Sequence, residues 1–335
     1  MDCLDSNGAM NMMKWAMNYI PRLRDVYNAR LLISKYLPRT PLFYSRKLSR
    51  ELDFDVYLKL ENVQPTRAFK VRGGVYYVMR MKDEAVKKGL ITASTGNHAQ
   101  SIAYAGGLVG AKVTIVMPNG VSRVKIAALK NLGAELIFHG NVFDEALDYA
   151  IKIAKERNML FVHSINEPLL YAGVGTMHLE IIEDLPDVDI VINPIGGGSG
   201  ASSAVIVYKS IDPSIKVIGV QAEGAPSVYL SLKQGKLVST KSANTVAEGL
   251  ATSRAYELPY SILKDKIDDV VLVSDDEMLK AIKVLLETTG QIAEPAGAAA
   301  LAAAFKLKAD LKNKKVAIIV SGGNIDLDLL KKILF

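Results

Sequence analysis

A single cysteine, Cys3, is all that a chain of 335 residues carries, which excludes an intramolecular disulfide and fits a reducing compartment, the cytoplasm. Four histidines and no Cys-x-x-Cys pair leave no spacing that points to a structural metal. No apolar run approaches the roughly 20 residues of a membrane span. The first 20 residues are rich in methionine but carry Asp2 and Asp5, with breaks at Asn11, Lys14 and Asn18. That pattern lacks the basic start and unbroken apolar centre of a signal peptide. An amphipathic helix packed on the body or on a partner chain is expected there, within an N-terminal extension over 1–25. The formal charge of +6 is dispersed, with 41 basic residues among 35 acidic ones and no aromatic-interleaved stripe. No nucleic-acid partner is therefore expected, and small anionic ligands account for part of the excess.

What the chain does have is apolar material and a rhythm. Half of its residues are hydrophobic, and the length exceeds what one core holds, so two lobes are expected. Apolar runs lie at 56–60, 90–93, 113–117, 136–138 and 160–162, each separated by a helical pattern. The second half repeats this at 190–193, 217–220, 270–273 and 316–320. Continuous β-branched runs between helices indicate parallel strands buried on both faces, an α/β architecture. No fixed-period repeat is visible. The chain stops soon after its last run, so no regulatory module is expected at the C-terminus.

In such sheets ligands bind beyond the carboxyl ends of strands. After the first run comes QPTRAFKVRGG, which places Lys70 at the head of a helical pattern, with Thr66 as the expected N-cap. A cation is disfavoured at a helix N-terminus, so burial there depresses the lysine towards a nucleophilic amine, the form Schiff-base chemistry requires. On this stretch alone a solvated lysine beside Arg72 fits as well. After the second run comes STGNHAQ, residues 94–100, whose hydroxyls and backbone donors suit a carboxylate or a phenolic oxygen, although an N-cap with a core histidine at His98 fits too. After the run at 190–193 comes IGGGSG, 195–200, a turn whose backbone N–H groups converge on a phosphate. It lacks the lysine of a nucleotide-binding loop and the spacing of a dinucleotide site, so a smaller phosphate is indicated. After the last run comes SGGN, 321–324, which offers a neutral hydroxyl. Together these loops describe an aldehyde that also carries a phosphate and a ring nitrogen, pyridoxal 5'-phosphate.

Beyond these loops, RTPL at Arg39, KLEN at Lys59, MPNGVSRVKIAAL at Met117, GAE at Gly133, TVAEGLA at Thr245 and EPAGA at Glu294 stand in order along the chain. With them the sequence, over about residues 30–335, closely resembles the fold-type II pyridoxal-phosphate enzymes, in the branch of serine/threonine dehydratases (threonine ammonia-lyases) and serine racemases. The resemblance implies a two-domain, tryptophan synthase β-like fold, each domain a mostly parallel open sheet flanked by helices. The large domain would be 26–86 with 165–335, and the small one 87–164. It implies that Lys70 carries the cofactor as a Schiff base and Phe69 packs beside it. Asn97 would bond the ring oxygen, Gly196, Gly197, Gly198, Ser199 and Gly200 the phosphate, and Ser321 the ring nitrogen, with Glu294 and Gly322 also against the cofactor. Ser94, Thr95, Gly96, Asn97 and His98 would bind the substrate.

The implied reaction is deamination of L-threonine or L-serine to 2-oxobutyrate or pyruvate and ammonia. Lys70 takes the Cα proton and the cofactor ring acts as electron sink. Threonine deamination of this kind serves isoleucine biosynthesis, and a cytoplasmic homodimer or homotetramer is implied. Departures from the family pattern raise alternatives. PTRAFK replaces PTGSFK, so Arg67 and Ala68 stand where glycine and serine are usual, and Ser199 stands for a fourth glycine. Thr95 replaces the serine that racemases use as the acid on the opposite face. Gln221 and Ser227 align with the racemases' cation-binding carboxylates, so no divalent site is expected. A serine racemase, a 3-hydroxyaspartate dehydratase using Arg67 or Arg123, and an amino-acid-sensing pseudoenzyme are the alternative readings.

Overall fold

The computed structural model describes residues 19–335; Cys3 and most of the expected N-terminal helix lie outside the described residues. Among the described residues, ten strands form two sheets. In chain order they are β1 (Leu42–Tyr44), β2 (Asp55–Leu60), β3 (Leu90–Ala93), β4 (Val113–Met117), β5 (Glu135–Phe138), β6 (Leu160–Phe161), β7 (Ile190–Pro194), β8 (Lys216–Ala222), β9 (Asp269–Val273) and β10 (Lys315–Val320). A six-stranded sheet has the order β1-β2-β10-β7-β8-β9 and a four-stranded sheet the order β5-β4-β3-β6. The strands of the smaller sheet are thus one uninterrupted stretch of chain inserted between strands of the larger.

Every pairing is parallel except β1 with β2, where Phe43 sits opposite Leu58. The three-residue β1 was too short to stand out as an apolar run. The inner strands are largely buried, β3, β4 and β7 without exception, because helices cover both faces. β5 is exposed at both ends and half-buried in the middle, as befits an edge. The last strand of the chain, β10, lies between β2 and β7, with Val316 in register with both Val56 and Ile190. Consequently the loop after β10 is brought next to the loop after β2, although 260 residues of chain separate them.

Helix Lys70–Arg80 packs between helices Asn97–Val109 and Pro168–Asp184 at very close range. A Cβ on Gly73 would lie 2.8 Å from Leu170 O, and one on Gly74 would overlap the Ser101 hydroxyl. Only glycine allows both approaches. Ser101 Oγ in turn donates to Lys70 O at 2.7 Å, tying the first turn of the lysine helix to its neighbour.

Beneath that helix lies a fully buried charge network. Arg72 donates from Nε and Nη2 to Glu61 at 2.8 Å each and from Nη1 and Nη2 to Glu180 at 2.9 and 2.8 Å. Lys59 Nζ donates to Glu180 at 2.7 Å and to Thr40 O at 2.8 Å. Burial alone would raise the Glu180 carboxyl, but Arg72 and Lys59 hold it at about 2. Burial lowers Arg72 too, yet its two carboxylates more than reverse this and raise it. Planar, bidentate pairing of this kind suits arginine and secures the helix to β2 and to helix Pro168–Asp184.

Candidate active site

β2 ends in a 3-10 turn, Glu61–Val63, and the chain reverses through Pro65 and Arg67. Arg67 adopts φ +55°, a left-handed conformation natural to the glycine usual in the PTGSFK pattern, and its side chain is exposed. Thr66, the expected N-cap, does not cap this helix. The helix begins at Lys70 with Phe69 as N-cap, while the Thr66 hydroxyl is buried without a hydrogen-bond partner. Thr66 sits too far ahead of the first turn to cap it. The loop is fixed instead from the β10 side, where Phe69 N donates to Ser321 O at 3.1 Å and Gly323 N to Arg67 O at 2.9 Å.

Lys70 is thereby aimed at the start of helix Ser199–Ile211. Its Nζ donates to Ser199 Oγ at 2.8 Å and lies 5.3 Å from the centre of the Phe69 ring. Part of the side chain reaches solvent, yet the amine is enclosed, and loss of hydration pushes it down to about 8. No carboxylate among the described residues pairs with it. An amine in that state attacks an aldehyde to form an imine.

Ser199 opens helix Ser199–Ile211, straight after the glycines that follow β7. Gly198 has φ +101°, and a Cβ on Gly197 would press on Ile165 at 2.5 Å. The side-chain-free backbone here leaves the N–H groups at the helix start available to an anion. Ser202, one turn on, has a buried hydroxyl without a protein partner.

The loop after β3 closes the opposite wall. Ser94 Oγ accepts from Gly96 N at 3.3 Å, and helix Asn97–Val109 starts at Asn97 with no side-chain cap. Asn97 Nδ2 donates to Glu294 at 2.7 Å, and its Oδ1 accepts from Asn324 Nδ2 at 2.7 Å. Asn324 also donates to Thr66 O at 2.9 Å, so the Asn97 amide is oriented from two sides. Burial raises the Glu294 carboxyl to about 7. The backbone of Gly322 passes so close to Glu294 that a Cβ there would collide with its carboxylate. Ser321 Oγ is buried and donates to Ala296 O at 3.3 Å. His98 turns into the smaller sheet, where its Nε2 lies 3.1 Å from Thr92 Oγ1. Because Thr92 gives its own proton to Val162 O, it accepts from His98, whose ring burial and then Lys70 keep neutral, at about 3.

Two site neighbours did not stand out in the sequence. His163 follows β6, and its Nδ1 accepts from the N–H groups of Ile165 and Asn166 at 3.0 Å each. Asn324 belongs to SGGN, but its contact with Asn97 depends on pairings remote in sequence. Arg123 is exposed at the start of helix Arg123–Asn131. Gln221 Oε1 accepts from Tyr229 N at 2.8 Å, and Ser227 Oγ donates to Thr252 O at 3.0 Å.

A lone amine beside a backbone cradle suits a ligand that is both aldehyde and phosphate, and enzymes built on such a ligand are the class this site defines. The glycines that a Cβ would fill, the unpartnered Ser202 hydroxyl and the depressed Lys70 all fit pyridoxal 5'-phosphate. The chain belongs to the family of pyridoxal-phosphate dependent enzymes, which matches it over residues 33–322. It is 42% identical to an L-threonine ammonia-lyase of Thermotoga maritima over 312 residues, 93% of this chain and 78% of that one. Its identity to the catabolic L-threonine dehydratase of Escherichia coli is 35%, covering 92% and 94% of the two chains. Among solved structures, maize serine racemase superposes with a TM-score of 0.90 at 32% identity, covering 94% of this chain and 97% of that one. Threonine deaminase isoform 2 of Solanum lycopersicum does so with 0.87 at 32%, covering 94% of each.

Proposed function

We propose that this protein deaminates L-threonine and/or L-serine by α,β-elimination of water, giving 2-oxobutyrate or pyruvate and ammonia. The observation that carries the reading is the Lys70 amine, enclosed, paired with no carboxylate among the described residues and 2.8 Å from Ser199 Oγ at the head of the glycine cradle. The threonine ammonia-lyase and dehydratase names of its relatives support it. When bound, pyridoxal phosphate supplies an electron sink for the charge that develops at the substrate Cα.

The chain's own residues do the rest. Lys70 anchors the cofactor and, once released, takes the Cα proton at Nζ; a value of about 8 leaves part of the amine free near neutral pH. Gly196, Gly197, Gly198, Ser199 and Gly200 hold the phosphate, and Phe69 packs beside the ring. Asn97 spends one N–H on Glu294 and keeps the other for the ring oxygen. Ser321 serves the ring nitrogen, with Glu294 and Gly322 against the ring. Ser94, Thr95, Gly96 and Asn97 bind the substrate carboxylate, while His98, its ring buried against Thr92, supports that loop from behind as a neutral group. The Thr95 hydroxyl holds the carboxylate, because its methyl restricts χ1 and crowds the approach to Cα. Arg67 and Arg123 are both exposed, which favours a substrate with one carboxylate over 3-hydroxyaspartate. The domain division 26–86 with 165–335 and 87–164, a cytoplasmic homodimer or homotetramer, and a product that serves isoleucine synthesis complete the proposal.

The maize racemase likeness makes racemisation the reading to test against. Release of 2-oxo acid from L-threonine, L-serine, D-serine and threo-3-hydroxyaspartate is measured, with chiral analysis of the remaining serine. Expected are 2-oxo acid from L-threonine or L-serine and little D-serine, with Thr95→Ser raising racemisation relative to elimination. D-serine formed as fast as pyruvate would overturn the assignment.

A further inference from the structure

Resting on the assignment of Lys70 above, we propose that Ser199 acts on the amine as well as on the phosphate. Its Oγ is the acceptor that holds and aims Lys70 Nζ whenever that atom is not bonded to the cofactor. Ser199 is thereby a catalytic residue of this chain, in touch with the atom that moves the Cα proton.

The local chemistry singles it out. Among the described residues, the 2.8 Å contact with Ser199 Oγ is the one hydrogen bond of the Lys70 amine, and no salt bridge competes with it. Ser199 is 3% exposed, so water does not replace it easily. The neighbouring serines are placed otherwise: Ser203 Oγ is committed to Tyr171 O at 2.9 Å, and Ser202 Oγ meets no protein group. Because the amine is the donor in this contact, the Ser199 hydrogen is left for a second acceptor. The hydroxyl thus serves two masters at once, Nζ through its lone pair and an anion through its proton.

A hydroxyl also has the right strength for the task. A carboxylate in its place would fix the lysine as an ammonium, useless as a base. An apolar group would leave a side chain with four rotatable bonds unaimed and lower the amine further through desolvation. Ser199 directs the amine while letting burial dominate its protonation, in keeping with the depression to about 8.

Pyridoxal, which lacks the phosphate, separates the two roles. The full-length protein, freed of its cofactor, is mixed with pyridoxal across a pH series. Imine absorbance is followed, and borohydride-fixed adducts are mapped by mass spectrometry. A hydrogen bond to the charged form is worth about one pKa unit. Ser199→Ala is therefore expected to lower the midpoint of imine formation on Lys70 by about one pH unit. Ser199→Thr, which keeps the hydroxyl, stays with the unaltered protein; Ser199→Gly is measured in the same way should the alanine variant not fold. If the adduct sits on Lys70 but the midpoints coincide, Ser199 serves the phosphate alone and the inference fails while the function stands. If the unaltered protein carries no adduct on Lys70, both fail.

Discussion

Lys70 and Arg72 stand two residues apart on one helix, both enclosed, and the protein treats their charges in opposite ways. Arg72 meets two carboxylates in bidentate contact, and its guanidinium is raised as a result. Lys70 meets one hydroxyl and is lowered to about 8 by burial. Compensation turns a buried cation into an anchor; withholding it turns the next one into a nucleophile. The helical repeat makes this possible, since positions two apart point to opposite sides. The compensated side faces β2 and helix Pro168–Asp184, and the uncompensated side faces the cradle.

The sharpest way to break the comparison is to remove each cation in turn. Lys70→Ala is expected to lower turnover by at least about 10² to 10⁴, since it removes base and anchor together. The urea midpoint of the cofactor-free protein should hardly move, because no ion pair is lost. Residual turnover within tenfold of the unaltered protein would refute the role of Lys70. Arg72→Ala should do the reverse in urea, costing about 3–5 kcal/mol by leaving Glu61 and Glu180 short of a partner in the interior. A loss below about 1 kcal/mol, the scale of a surface pair, would show that the network is not an anchor.

A smaller effect comes from buried groups that burial keeps neutral. His98 and His178 both sit at about 3, burial being the main cause. The unfolded chain takes up these protons near pH 6.5 and the folded chain does not until about 3, so stability falls as pH drops through that window. Glu294, at about 7, acts in the other direction: its folded carboxyl keeps a proton that the unfolded chain releases near 4.5, so stability falls as pH rises between those values. Urea midpoints of Glu294→Gln against the unaltered protein should diverge most towards pH 7; parallel curves would remove Glu294 from the account. The smallest effect concerns metals. With Gln221 and Ser227 each bonded within the protein, chelation of Mg²⁺ and Ca²⁺ is expected to leave turnover unchanged. A large loss that Mg²⁺ restores would mean that charge compensation extends beyond the side chains described.

Much of this was legible in the sequence because parallel strands announce themselves as apolar runs, and the loops at their ends follow in fixed positions. All nine expected runs correspond to strands, β2 to β10, within one or two residues at their ends. The site loops were legible for the same reason. What escaped depends on pairing across long separations. The short antiparallel β1 has no apolar signature, and the contact of Asn324 with Asn97 exists only because β10 lies beside β2. Thr66 looked like a cap because its chemistry is right, but capping is a matter of where the first turn falls. Glu61 and Glu180 could not be assigned to Arg72 from spacing, since the second carboxylate is 108 positions further along the chain than the arginine.

The two glycines after Arg72 set a length scale for the whole site. At Gly73 and Gly74 the neighbouring helices come within the thickness of one methyl group. Any side chain there would have to push the lysine helix away from one neighbour or the other, and Lys70, whose own carbonyl is held by Ser101, would travel with it. Reacting groups misplaced by about 1 Å lose rate on the order of 10²-fold. The positional tolerance of the amine is therefore machined by two missing carbon atoms one helical turn beyond it, each facing a neighbouring helix.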